Sequence, residues 1–179
     1  MQEIRTITFL KNHPQLPKFI QQVEDIFFIS SSVKSFDSEQ RRSDFFNRWC
    51  GSYLSLFPDD FYLMIDEDQV LGYLCGCKNT MDSLSVLDIP GLNLFSKEFL
   101  NFPAHFHINF NSNQRGKGLG SQMVNQFFQD CTQQGIAGVH IITSPDALNV
   151  NFYKKLGFVN NIEKRFNGNA LFFMGASLS

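Results

Sequence analysis

The stretch Phe110 to Phe128, FNSNQRGKGLGSQMVNQFF, sets three glycines and two cations between Arg115 and Gly120 and then turns at once into an apolar stripe. Leu119, Met123, Phe127 and Cys131 recur every four residues, Val124 and Phe128 widen the face, and Gly135 offers a stop, so the spacing predicts a helix that begins at the glycines. The residues before it, AHFHINF, alternate Phe106, Ile108 and Phe110 against His105, His107 and Asn109, a strand period that feeds the loop. A strand, a glycine turn and a helix in that order present unpaired backbone N–H groups at the positive end of a helix dipole, which suits a phosphate. Glycine matters there because a side chain would bar close approach, while Arg115 and Lys117 add charge-assisted contacts for a pyrophosphate or a 3'-phosphate.

Two common phosphate motifs fail. The ATP-type loop needs GxxxxGK[ST], and the dinucleotide fingerprint needs GxGxxG, whereas this loop reads RGKGLGS and ends on Ser121. What remains is arginine, two residues, glycine, one residue, glycine: Arg115, Gly118 and Gly120. Taken alone, so short a pattern also fits a glycine turn that merely starts an ordinary helix.

Working outward, EIRTITFL reads as a strand and PKFIQQVEDIFFIS as a helix through Phe19, Ile20, Val23, Ile26 and Phe27. A second helix starts at the capping residue Ser38, runs through Phe45, Phe46, Trp49 and Leu54, and is weakened near its end by Gly51. Phe61 to Ile65 and Val70 to Cys77 form a hairpin across the polar turn Asp66 to Gln69. Residues 80–103 show no steady period and form a long connection with a short helix at Leu94 to Leu100. GVHIITS is a buried strand, LNVNFYKKLGF a short helix closed by Gly157, and two last strands, Val159 to Arg165 and Ala170 to Gly175, flank the turn NGN.

At 179 residues and 43% hydrophobic content, one domain over residues 1–179 with a real core is expected, and 21 phenylalanines supply much of it. A formal charge of −2 and a pI near 6.0 argue against a nucleic-acid backbone or an anionic membrane as partner. The start has no cationic segment leading a long apolar run, so a soluble cytoplasmic protein is expected. Cys75 and Cys77 are one residue apart and Cys50 and Cys131 stand far off, which matches neither a redox pair nor a zinc site, so reduced core thiols are expected. His105 and His107 project together from one strand, yet no third ligand is suitably spaced, so no metal is expected.

A second motif joins the loop. FYKKLGF, Phe152 to Phe158, places a tyrosine on a helix before a Leu-Gly-Phe turn, and with RGKGLG one strand earlier the pair resembles the two cofactor motifs of the GNAT acetyltransferase superfamily. The resemblance implies an α/β (α+β) fold: a central mixed, mostly antiparallel twisted sheet of about six to seven strands flanked by about four helices. FPAHFHINF, NQRGKGLGS and SPDALNVNFYKKLGF are more narrowly similar to bacterial stand-alone relatives of the acetyltransferase-like domain of O-GlcNAcase. Asp146, where many GNAT proteins carry asparagine, favours that branch, and Asn149 stands where alanine is usual.

By resemblance, acetyl-CoA is the cofactor, held by Asn109 and Phe110 beside its amide-bearing arm, by Arg115, Gly116, Lys117, Gly118, Leu119, Gly120 and Ser121 at the pyrophosphate, and by Asn149 and Tyr153. Tyr153 is the implied proton donor to the departing thiolate, against the plainer reading of a core tyrosine. Asp146 is the implied base or orienting group, with His105 and His107 as other candidates for base. The acceptor stays open between a small-molecule amine and a protein amine, with Asp82, Asp88 and Glu98 slightly favouring a cationic one. Binding of acetyl-CoA without turnover, and a protein-interaction role that includes a homodimer, are the competing readings.

Overall fold

The computed structural model describes residues 1–178. Seven strands, β1 (Gln2–Thr6), β2 (Phe61–Asp66), β3 (Gln69–Cys77), β4 (Ala104–Phe110), β5 (Gly138–Thr143), β6 (Asn160–Phe166) and β7 (Asn169–Ser177), form one mixed sheet in the order β1-β2-β3-β4-β5-β7-β6. The helical segments are α1 (Ile7–Leu10), α2 (Leu16–Ser30), α3 (Glu39–Phe46), α4 (Ser52–Leu56), α5 (Thr80–Ser83), α6 (Leu119–Gln133) and α7 (Val150–Lys155). The expected sheet is present; among the described residues the helices exceed the expected four because several are single turns. By contact the chain divides into two compact units, residues 1–76 with 107–126, and the remainder, so β4 and α6 contribute residues to both.

In the first unit β1 lies antiparallel to β2, from Gln2 opposite Asp66 to Thr6 opposite Tyr62. The predicted first strand runs too far: Ile7 to Leu10 coil into α1 because the Thr6 hydroxyl caps it, accepting from Phe9 N at 3.3 Å. The hairpin of β2 and β3 turns on Glu67 and Asp68, with Glu67 at φ 55°. Helix α2 buries Phe19, Val23, Ile26 and Phe27, the stripe its periodicity predicts. Its Gln22 accepts from Val70 N at 2.7 Å and donates to Asp68 O at 3.2 Å, which ties the helix to the hairpin. Ser38 caps α3 as predicted, accepting from Arg41 N at 3.2 Å. The helix does not run straight on: Asn47–Gly51 form a π turn, and Gly51 sits inside it, where an added Cβ would lie 2.4 Å from Asn47 Oδ1.

In the second unit β5 pairs antiparallel with β7 over six residues, and β6 returns along β7 through Asn167 and Gly168, both at positive φ as a two-residue hairpin turn requires. The long connection holds not the single helix expected at Leu94 to Leu100 but two 3-10 turns, Leu92–Phe95 and Glu98–Leu100. Their Leu92, Phe95 and Phe99, with Phe102 just beyond, are buried in one cluster with Phe173. The ring of Phe102 lies where Cβ atoms on Gly138 or Gly175 would approach within 2.7 and 2.8 Å, so both strands need glycine there. No helix among the described residues is long and apolar enough to cross a membrane.

Candidate functional site

The loop after β4 is built in the first unit. Asn111 anchors it at both ends of its own backbone and side chain, donating from N to Leu71 O and from Nδ2 to Val70 O, each at 3.0 Å. Beyond a 3-10 turn at Ser112–Gln114, Gly116 and Gly118 take φ +76° and +80°. A Cβ built at either would meet nothing within 4 Å, so the loop presents bare backbone to open space. The N–H groups of the first turn of α6 follow directly, with Leu119 buried beneath and Gln122 N bonded to Gly118 O at 3.2 Å.

Arg115 does something the sequence did not suggest. Its Nε donates to Phe110 O at 3.4 Å and its Nη2 to Ser30 Oγ at 3.2 Å, so the guanidinium ties the loop to the end of α2. Lys117 donates to Gln114 Oε1 at 2.9 Å, within the loop. Phe110 is buried against Gly72, where a Cβ would come within 2.4 Å of its ring. Asn109 donates from Nδ2 to the hydroxyl of Tyr73 at 2.8 Å, which leaves its Oδ1 as an open acceptor.

Asn109 also faces a cavity of about 360 Å³ in the same unit, walled by Phe27, Phe45 and Trp49 and rimmed by Ser30, its two following serines and Val33. Beside it, His107 meets Trp49 and Tyr53 edge-on at 5.7 and 5.9 Å, and burial pulls its imidazole down to a pKa of about 4. It is a neutral, embedded ring at pH 7.

The second unit holds the other candidates. The first residues of β4 pair in parallel with β5 at Ala104 with Val139 and His105 with His140. His105 and Thr80 are 2.7 Å apart, and the Thr80 hydroxyl, already donating to Pro103 O at 2.7 Å, can only accept from His105 Nδ1–H. His140 donates to Phe102 O at 2.6 Å and stacks between Phe99 and Phe173. His105 thus bonds to Thr80, whereas His107 packs against Trp49 and Tyr53. Among the described residues no group of three or more His, Cys, Asp or Glu converges to hold a metal ion. All four cysteines are buried thiols outside any disulfide.

Tyr153 on α7 packs with Phe106 at 6.2 Å, Phe158 at 5.5 Å and Phe152 at 5.2 Å, and is buried. Burial alone raises its phenol well above the ordinary range, so it keeps its proton at every physiological pH. Asp146 sits in the exposed loop before α7, where the Ser144 hydroxyl bonds to its carboxylate and holds it below the ordinary carboxylate range. Asn149 Oδ1 accepts from Thr143 Oγ1 at 3.2 Å, linking the end of β5 to the start of α7. The structure thus brings Asn109, Phe110 and residues 115–121 together in one unit, and Asp146, Asn149 and Tyr153 in the other. Tyr73, Ser30 and Trp49 were not legible as site residues, because their relation to the loop exists only once strands and helices are in register.

Residues 20–158 match the acetyltransferase (GNAT) family. Among solved structures, the protein designated SsHAT is 21% identical with a TM-score of 0.72, covering 99% of this chain and 98% of that one. Ard1 from Thermoplasma volcanium is 18% identical with a TM-score of 0.60 and coverage of 98% and 97%. The NatC complex, solved bound to Gag peptide and CoA, is 12% identical with a TM-score of 0.63 and coverage of 99% in both directions. These likenesses speak to the fold; no curated protein sequence matches significantly. GNAT acetyltransferases use acetyl-CoA as donor, and the bare glycine loop fits such a donor's phosphates. A family match over most of the length, carried on this sheet and this loop, means that the chain belongs to the acetyltransferase (GNAT) family.

Proposed function

We propose that the protein is an acetyl-CoA-dependent N-acetyltransferase that modifies a primary amine by direct transfer. The observation that carries this reading is the loop: two positive-φ glycines, with open space over both, lead into the first turn of a fifteen-residue helix. Backbone N–H groups of Gly116, Gly118, Leu119, Gly120 and Ser121 would hold the pyrophosphate, with Lys117 beside them and Arg115 keeping the loop in place from Phe110 and Ser30. Asn109 and Phe110 offer backbone to the amide-bearing arm, beyond the two residue pairs that β4 gives to β5.

The bound donor supplies an activated thioester carbonyl. Attack by the neutral amine forms the C–N bond and breaks the C–S bond, the amine loses one proton, and the thiolate gains one, so the products are an amide and a free thiol. Tyr153 is the proposed donor to that thiolate: burial keeps the phenol protonated, though it also weakens it as an acid toward a group whose conjugate acid lies near 8.5, so transfer has to be concerted with departure of the sulfur. Asp146, stabilised as a carboxylate by Ser144, is a weak base, and we assign it the positioning of the loop that carries Asn149 and α7. Asp146 also supports the narrower kinship with stand-alone relatives of the acetyltransferase-like domain of O-GlcNAcase. The raised phenol of Tyr153, a weakened acid, is the one observation favouring the second reading, acetyl-CoA binding without turnover.

Thermal unfolding with and without acetyl-CoA tests the cofactor directly. At a hundredfold excess over the dissociation constant, linkage gives about 2.7 kcal/mol, or several degrees in a chain of this size. Thiol release on addition of a primary amine then separates an enzyme from a silent binder. No shift at any concentration overturns the reading.

A further inference from the structure

The cavity in the first unit has a composition that selects. Phe27 and Phe45 lie 5.6 Å apart and, with Trp49, make three aromatic walls. The polar groups it offers are hydroxyls of the serine run that starts at Ser30 and the carboxamide of Asn109. Not one lining residue is ionisable. Glu24 of α2 is paired with Arg42 at 2.6 Å, and the Arg42 guanidinium carbon lies 3.7 Å over the Phe28 ring. Asp82, Asp88 and Glu98, which suggested a cationic acceptor from sequence, do not line it.

The lining offers an amine with several charges no counter-charge. A single aromatic ring on a short chain meets what the cavity offers: the side chains of Phe27, Phe45 and Trp49 to pack against, and Asn109 Oδ1 to accept an N–H. About 360 Å³ lies near the lower end of ligand-binding cavities, which suits one ring rather than an oligosaccharide. The rim is also fastened to the cofactor loop, since Arg115 donates to Ser30. We infer that this cavity receives the acetyl acceptor, and that the acceptor is a monoamine bearing a compact aromatic group. Its catalytic meaning rests on the acetyl-transfer reading above, but occupancy of the cavity does not.

Trp49 is the only tryptophan in the chain and stands in the cavity wall, so its emission reads occupancy without any turnover. The experiment titrates the full chain with 2-phenylethylamine, ethylamine and 1,4-diaminobutane, with and without coenzyme A. The expected result is a saturable change with 2-phenylethylamine, bound roughly tenfold to a hundredfold tighter than ethylamine, as burial of one ring predicts. Diaminobutane should bind no better than ethylamine. Phe45→Ala, at a half-buried wall, should weaken the aromatic amine roughly fivefold or more and keep the reporter. Val33→Glu, on the exposed rim, should raise affinity for diaminobutane by supplying the missing carboxylate.

No saturable emission change up to about 10 mM, above ordinary KM values, in either condition would overturn the inference, as would tighter binding of the diamine to the wild type. A Trp49 response with no stabilisation by acetyl-CoA would leave the cavity assigned and remove the transferase reading. Stabilisation by acetyl-CoA with no Trp49 response would do the reverse.

Discussion

Gly118→Ala separates backbone strain from ligand loss, because its cost in the free protein can be matched at a second position. Gly118 has φ +80° and Gly135, after α6, has φ +70°; at both, an added Cβ meets nothing within 4 Å. Neither substitution creates a clash, so each should cost only the left-handed penalty, about 1–2 kcal/mol. In a chain of this length that is a fall of roughly 2–8 °C in melting temperature. With acetyl-CoA the two should part. Gly135→Ala should keep the full stabilisation of about 2.7 kcal/mol at a hundredfold excess. Gly118→Ala places a methyl group in the space reserved for the donor, and should lose most of it. The assay is differential scanning calorimetry of both variants and the wild type across acetyl-CoA concentrations. Full retention of the ligand shift in Gly118→Ala would refute the backbone cradle. A much larger fall for Gly118→Ala than for Gly135→Ala without ligand would show that the loop is structural.

Tyr153→Phe should leave the denaturation midpoint nearly unchanged, since the hydroxyl's only resolved influence is its burial, while thiol release falls by about 10²–10⁴; equal turnover would remove Tyr153 from the chemistry. Asp146→Asn should leave the rising limb of the pH–rate profile near neutrality in place, because a carboxylate held below its usual range cannot titrate there; loss of that limb would restore Asp146 as base. Gly72→Ala should cost about 1–3 kcal/mol in chemical denaturation, because the new methyl stands 2.4 Å from the Phe110 ring and that ring must move. His107 has its pKa pulled from 6.5 down to about 4, so the unfolded chain binds the extra proton between those values. The native state should therefore lose about 3 kcal/mol as pH falls from 6.5 to 4, and His107→Leu should flatten that slope.

What the sequence made legible was what short-range chemistry determines. Periodicity placed α2 and α6, Gly135 and Gly157 stopped their helices at positive φ, Ser38 capped α3, and Asn167 with Gly168 turned the last hairpin. Where it failed, competing signals were equal at short range. Ile7 to Leu10 alternate well enough for a strand, and only the Thr6 cap, formed once the chain leaves the edge of the sheet, makes them helical. The π turn at Asn47–Gly51 adds one residue to a helical stripe and leaves no compositional mark. The candidate site divides in the same way. Its glycines carry their meaning in φ, whereas the Asn109–Tyr73 bond joins residues 36 apart and the Arg115–Ser30 bond residues 85 apart.

That division bears on how donor and acceptor are recognised. The donor's phosphates are common to every acetyl-CoA enzyme and can be met by backbone, so their signature survives as spacing: Arg115, Gly118, Gly120. An acceptor is met by side chains drawn from wherever the fold brings them, here Phe27 from α2, Phe45 from α3, Trp49 from the π turn and Asn109 from β4. The π turn matters most for this. Trp49 lies within this turn, so Gly51, whose missing Cβ lets Asn47 and Phe46 close over it, shapes the acceptor cavity from outside it. Gly51→Ala should then disturb Trp49 emission and amine affinity together while leaving the acetyl-CoA shift unchanged. An unaltered Trp49 spectrum in that variant would refute the link between the turn and the cavity.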